Sequence, residues 1–133
     1  MKKKKGIALS LDAVGAMVFM IIIASILMVK GPSFIENSRN TRAETDAVAL
    51  GGSVSEYKME IGSYPDTLNS LKQTNGQYGS WILKVPTDPW GNTYQYKKTD
   101  TKFVVYSFGP DKADSGSSAE NGVAKGDIGF AGR

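Results

Sequence analysis

Four consecutive lysines, Lys2 to Lys5, stand before Gly6 and an apolar run from Ile7 to Val29 whose only charge is Asp12. A helix over those 23 positions is about 34 Å long, enough for a hydrocarbon core of about 30 Å. The run can therefore span a membrane. The lysine cluster resists translocation and is expected to stay cytoplasmic, which leaves everything after Lys30 outside. No A-x-A cleavage pattern follows Val29, so the segment reads as an anchor and not as a secretory signal peptide. Asp12 is the exception within it. A carboxylate in an apolar span costs up to about 2.5 to 3.5 kcal/mol near mid-bilayer and calls for a partner, and no basic residue inside the span supplies one.

The charge balance divides the chain in the same place. Of 16 Lys and Arg, five lie in residues 1–30, leaving 11; of 13 Asp and Glu only Asp12 lies there, leaving 12. The external region is thus near neutral, and phosphate or nucleic-acid binding has no electrostatic support. About 100 external residues suffice for one small core. With no cysteine, no disulfide can reinforce it.

Gly31-Pro32 predicts a bend that need not end the helix. From Phe34 to Ile61 helical periodicity resumes: Ala43, Ala47, Leu50, Val54, Tyr57 and Ile61 fall on one face, expected to lie on a sheet. Gly51-Gly52 within it marks either close backbone packing or a flexible joint. The helix should stop by Gly62, and Tyr64-Pro65-Asp66 should turn into a short helix carrying Leu68 and Leu71, capped by Asp66 or Thr67. Trp81 to Val85, Thr93 to Lys97 and Phe103 to Ser107 are strand-like, the last two forming a hairpin over Lys98 to Lys102. Residues 109 to 129 read as a long Gly/Ser/Asp-rich loop.

Two sets of residues resemble a known family. Lysines, Gly6 and an apolar helix with an early acid look like the class III signal of type IV pilins and type II secretion pseudopilins. The segments GSYPDTLNSL, VPTDPWGNTYQYK and FVVYSFGPD, covering residues 62 to 111, resemble the major pseudopilin in order and content. The resemblance implies an α+β fold: a long bent amino-terminal helix, half in the membrane and half packed on a small antiparallel sheet. It divides the chain into a leader (1–6), a transmembrane or filament-core helix (7–30) and an extracytoplasmic globular domain (31–133). It implies cleavage after Gly6 by a prepilin peptidase and methylation of Ile7. Asp12 would pair with a neighbouring subunit's amino terminus, giving a homopolymer held through the amino-terminal helices. The family's glutamate aligns one position earlier, at Leu11, and its first mature residue is commonly phenylalanine. An assembly ATPase, a platform protein, minor pseudopilins, a secretin and exported proteins are the implied partners, with no nucleic acid among them. The subunit would begin as a single-pass protein of the inner membrane and end in a pseudopilus or surface fibre.

In that family the last long loop binds calcium. The matching residues here are Asp111, which opens the loop, and Asp127, which with Ile128 closes it, supplemented by Asp114, Glu120 and the Phe108 carbonyl. Lys125 and Gly126 stand where further acids are expected, and calcium needs six to eight oxygens. The alternative is a solvated loop of scattered charge. Trp90, Tyr94 and Tyr96 read as core and turn residues.

An enzyme is not expected. Without His or Cys the commonest general base, the thiolate nucleophile and the usual zinc ligands are missing. One Ser-x-x-K, Ser55 to Lys58, lies on the amphipathic helix without the companion motifs of an acyl-transfer enzyme. The competing reading is a monomeric, membrane-anchored binding module that recognises partners through the 109–129 loop.

Overall fold

The computed structural model describes residues 2–74 and 79–133, and within its helix the side chains of 12–26, 28 and 33–61. The chain divides into two compact units, residues 1–37 and 38–133. Helix α1 is assigned from Lys2 to Ile61, so Gly31-Pro32 does not end it. The missing proline donor removes one rung of the ladder, and the turns on either side retain theirs.

In the first unit the described side chains from Asp12 to Ile26, together with Met28, are exposed. They include Val14, Met17, Phe19, Met20 and Ile22, apolar on every side of the helix. Among the described residues no helix is long and apolar enough to cross a membrane. Positions 7–11, 27, 29 and 30 of the expected span lie outside the described side chains.

The second unit is built on the amphipathic half of α1. Ala43, Ala47, Leu50 and Val54 are buried and Tyr57 is half-buried against the core. Ile61 departs from the expected face and is 40% exposed, because the helix ends there and its last turn overhangs the core. Gly62, at φ +94°, closes the helix with its N–H on the Lys58 carbonyl, a left-handed terminus that glycine adopts without a Cβ penalty.

A 3-10 turn, Leu68–Lys72, buries Leu68 and Leu71 under the core. Neither candidate cap acts as expected. Thr67 occupies the cap position without a side-chain bond to the backbone, and the Asp66 carboxylate instead takes the Lys98 ammonium at 2.7 Å.

Three strands follow: β1 (Gln95–Lys98), β2 (Phe103–Ser107) and β3 (Ile128–Gly132), antiparallel in the order β1-β2-β3. The hairpin is where the sequence places it, one or two residues shifted. Trp81 to Val85 is not a strand: the Trp81 and Ile82 amides both donate to the Leu71 carbonyl, and the pair packs on the core as coil. β3 lies partly within the expected loop and extends past it.

Pairing sets the two sheet faces. Tyr96, Phe103, Val105 and Phe130 face α1, and Phe103 meets Tyr64 and Phe130 at ring distances of 5.3 and 6.1 Å. Lys97, Val104 and Tyr106 fall on the opposite face by the period of two. Even so, every residue of β2 is buried, including Val104 and Tyr106. An antiparallel sheet often leaves one face wet. Here the 109–127 loop covers that face, which explains its length.

The paired glycines of α1 separate cleanly. A Cβ on Gly51 would collide with the Phe130 ring, whereas one on Gly52 would meet nothing within 4 Å. Gly51→Ala is therefore expected to cost about 1 to 2 kcal/mol net, overpacking outweighing improved helix propensity. Gly52→Ala should gain up to about 1 kcal/mol. Thermal melting of the two variants should shift in opposite directions; equal shifts would contradict the close packing of Phe130 on Gly51.

Candidate functional site: the amino-terminal helix and the 109–127 loop

Two regions carry the residues singled out in the sequence. Gly6 and Ile7 lie in the backbone of α1, with side chains outside the described set; Asp12 is exposed on the same helix.

The loop is held by two buried carboxylates. Asp88, 3% exposed, accepts from the Trp90 and Asn92 amides at 3.1 and 2.7 Å, turning the chain through the Asp-Pro-Trp-Gly stretch. Its other oxygen accepts from Ser107 Oγ at 2.6 Å, and that hydroxyl accepts from the Gly109 amide at 3.1 Å. The first residues after β2 are thereby tied to the turn before β1.

Asp127 does the same at the far end. At 8% exposure it accepts from the Ser115 amide (3.1 Å), the Ser117 amide (3.4 Å) and Ser117 Oγ (2.6 Å). Ser117 is fully buried, and its Oγ accepts from the Ala124 amide at 2.8 Å. Its carbonyl accepts from the Lys97 ammonium of β1 at 2.9 Å. Ser117 thus connects the middle of the loop to its far end and to the sheet beneath.

The other candidate ligands are dispersed. Asp111 accepts from the Ala113 amide, turning its own segment, and is exposed. Asp114 accepts from the Gly116 amide at 2.9 Å and from the Tyr106 hydroxyl at 3.2 Å, and lies 3.7 Å from the Lys97 ammonium. The Gly116 amide, with help from Tyr106 and Lys97, holds the Asp114 carboxyl below the usual carboxylate range. Tyr106 and Asp114 beside Lys97 hold its ammonium above the usual lysine range. Glu120 is exposed on the far side, beside Lys102. Phe108 is half-buried with its ring 6.0 Å from Tyr106. Among the described residues no three acidic side chains converge into a group that could hold a metal ion. The candidate ligands do not fit calcium in this arrangement, because Asp127 and Asp114 already take protein donors and an ammonium occupies the Ser117 carbonyl.

Lys97 and Ser117 were not singled out in the sequence. The readable signal was the register of β1: alternation places Lys97 on the face opposite Tyr96, where any covering loop must pass.

Tyr94 and Tyr96, which follow the Asp-Pro-Trp-Gly stretch, are core residues, as expected. Tyr94 is buried and donates to Asp46 of α1 at 2.9 Å, and Tyr96 donates to the Pro65 carbonyl at 2.9 Å. Burial first, then Asp46, pushes the Tyr94 phenol well above its usual range, so it remains a donor at any physiological pH. The Ser-x-x-K pair has no shared geometry for chemistry. Ser55 Oγ donates to the Gly51 carbonyl, and the Lys58 ammonium sits 4.0 Å from the Tyr64 ring centroid.

Comparison with known proteins agrees with this architecture. Residues 33–126, more than half of the chain, match the family model "Type II secretion system (T2SS), protein G". The chain is 32% identical over 128 residues to type II secretion system core protein G of Vibrio cholerae, covering 87% of each. It is 30% identical over 119 residues to the protein of that name from Pseudomonas aeruginosa, covering 80% of this chain and 84% of that one. A solved structure of the major pseudopilin from the type 2 secretion system of enterohaemorrhagic Escherichia coli shares the fold, with a TM-score of 0.54 at 24% identity over 74% of this chain and 86% of that one. A helix laid on a three-stranded antiparallel sheet, the Asp-Pro-Trp-Gly turn closed on the buried Asp88 and the matched residues together place this chain in the type II secretion system protein G family.

Proposed function

We propose that the chain polymerises through its amino-terminal helix into the pseudopilus of a type II secretion system, as a structural subunit and not as an enzyme. The observation that carries this reading is the helix of residues 12–28. Its described side chains are exposed, and large apolar ones point in every direction: Met20 is 71% and Met28 82% exposed. A helix apolar all round is buried by lipid or by other helices. Before assembly the run from Ile7 to Val29 would lie in the inner membrane with Lys2 to Lys5 in the cytoplasm.

Transfer from lipid to a filament core keeps that surface out of water, so packing and polar pairing decide the assembled state. Repeating one head-to-tail contact that does not close generates a helical filament. Asp12 supplies the polar pairing. Once the leader is cut after Gly6, the amino terminus of Ile7 in a neighbouring subunit is the cation that an intramembrane carboxylate calls for. A prepilin peptidase would make that cut. An assembly ATPase and platform protein would drive extrusion toward a secretin, with minor pseudopilins and exported proteins as further partners.

Purified from its own membranes, the mature chain is expected to begin at Ile7, with an N-methyl group visible in its intact mass. An intact Met1 terminus would overturn the assignment. Asp12→Ala should leave insertion and cleavage unchanged while filament yield, counted by electron microscopy, falls at least about tenfold, corresponding to about 1.4 kcal/mol of lost pairing. Undiminished filaments would show that Asp12 has no role in assembly. A chain that stays monomeric under cross-linking in wild-type membranes would favour the anchored binding module.

A further inference from the structure

In the loop of residues 109–127 the carboxylates of Asp111, Asp114 and Asp127 are spent on donors of the protein itself. Asp127 gives both carboxylate oxygens to Ser115 and Ser117. Asp114 gives its oxygens to Gly116 and Tyr106. The Ser117 carbonyl, an oxygen that points from the loop toward the sheet, takes the Lys97 ammonium at 2.9 Å. The same ammonium lies 3.7 Å from Asp114 and 5.4 Å from the centroid of the Tyr106 ring. A carbonyl at hydrogen-bond distance, with a carboxylate and an aromatic face nearby, holds this half-exposed ammonium.

Gly126 adds a steric observation. It sits at φ +108°, and a Cβ there would stand 2.6 Å from Ser115 Oγ. The loop path that brings Asp127 onto Ser115 and Ser117 therefore makes any side chain at position 126 strained, and Lys125 beside it contributes a further positive charge. Among the described residues the loop thus presents no converging set of the six to eight oxygens that calcium takes, while a lysine supplies positive charge from the sheet.

We propose that this loop is closed internally, the Lys97 ammonium and the Asp127 carboxylate joining it to the sheet and to itself through Ser117, so that the folded domain does not require a divalent cation. The inference concerns the globular domain alone and stands whether or not the chain polymerises. Lys97 is a positioning residue: it pins the Ser117 carbonyl over Tyr106, and Asp127 fixes the same residue from the opposite side.

The test is amide hydrogen exchange on the full-length chain in detergent micelles, with 1 mM calcium chloride or with EGTA. Wild-type peptides spanning 109–127 are expected to exchange equally in both. Lys97→Met should speed exchange in that segment at least about tenfold in both buffers, while peptides from residues 43–57 of α1 keep their protection. Faster wild-type exchange in EGTA than in calcium overturns the proposal, as does Lys97→Met with wild-type protection. If Lys97→Met loses protection throughout, Asp114→Asn, which keeps the size of the side chain and removes its charge, takes its place. Local acceleration in that variant supports internal closure, and none overturns it.

Discussion

Gly129→Val is expected to destroy the sheet. A Cβ at this position would overlap the Val105 carbonyl oxygen and stand 2.6 Å from Tyr106 Cβ and 2.7 Å from Tyr106 Cα. The obstacle is backbone, so no rotamer change relieves it. β2 cannot retreat either, because all five of its residues are buried, with α1 on one side and the loop on the other. β3 must leave, taking Phe130 away from Gly51 and Phe103. Losses of more than about 4 kcal/mol follow from overpacking of this kind. For a domain of roughly 100 residues each kcal/mol shifts the melting temperature by about 4 to 8 °C, so a drop of at least about 15 °C is expected in a calorimetric or circular-dichroism melt. Gly122→Ala is the control. At φ +83° its substitution is strained, but the added Cβ meets only Ala131 Cβ at 3.8 Å, so the cost should stay near 1 to 2 kcal/mol. Equal melting of Gly129→Val and wild type would refute the β2–β3 pairing itself.

The same glycines explain what the sequence did and did not reveal. The face of α1 from Ala43 to Val54 was legible because burial on a helix imposes its own period on residue choice. β2 was legible because aromatic and branched residues mark a strand packed on both sides, and β1 because Thr93, Tyr94 and Tyr96 lead into and through it. β3, Ile-Gly-Phe-Ala-Gly, carries glycine at two of five positions, which reads as loop. Those glycines are dictated by how closely Tyr106 and Phe103 approach, a fact of tertiary structure with no local signature. Trp81 to Val85 fails in the reverse direction: its residues suit a strand, but its first amides turn to Leu71 and no neighbouring strand receives it.

In the loop, Asp127 was legible as an acid that matters, and its partners were not. Ser117 is ten residues away and Lys97 twenty from Ser117, separations over which hydrogen-bonding residues leave no pattern. Lysine on a strand ordinarily reads as a solvated position. Only the need to cover Val104 and Tyr106, visible once the sheet is built, turns it into a clasp. The functional helix is the opposite case. Its character lies in an apolar composition interrupted by one charge, Asp12, which a single chain displays fully and a fold adds little to.

Asp88→Ala should be the most damaging removal of a polar side chain. The carboxylate is nearly inaccessible and receives three donors, the Trp90 and Asn92 amides and Ser107 Oγ, while Ser107 Oγ in turn serves the Gly109 amide. Truncation leaves two amides and a hydroxyl without their acceptor, each costing about 1 to 3 kcal/mol if water cannot reach it. Because the bonds form one network the losses will not add fully, and about 3 to 5 kcal/mol is expected. Asp88→Asn separates geometry from charge. Its Oδ1 still accepts from both amides, and its Nδ2 can donate to Ser107 Oγ, which then accepts twice and loses its own acceptor. About 1 to 2 kcal/mol should go, with the turn intact. In hydrogen exchange the alanine variant should open both the Asn92 and Gly109 amides, whereas the asparagine variant should weaken Gly109 and spare Asn92. Identical profiles for the two variants would mean that the carboxylate acts through charge alone, and that the turn before β1 and the start of the 109–127 loop are not joined through Ser107.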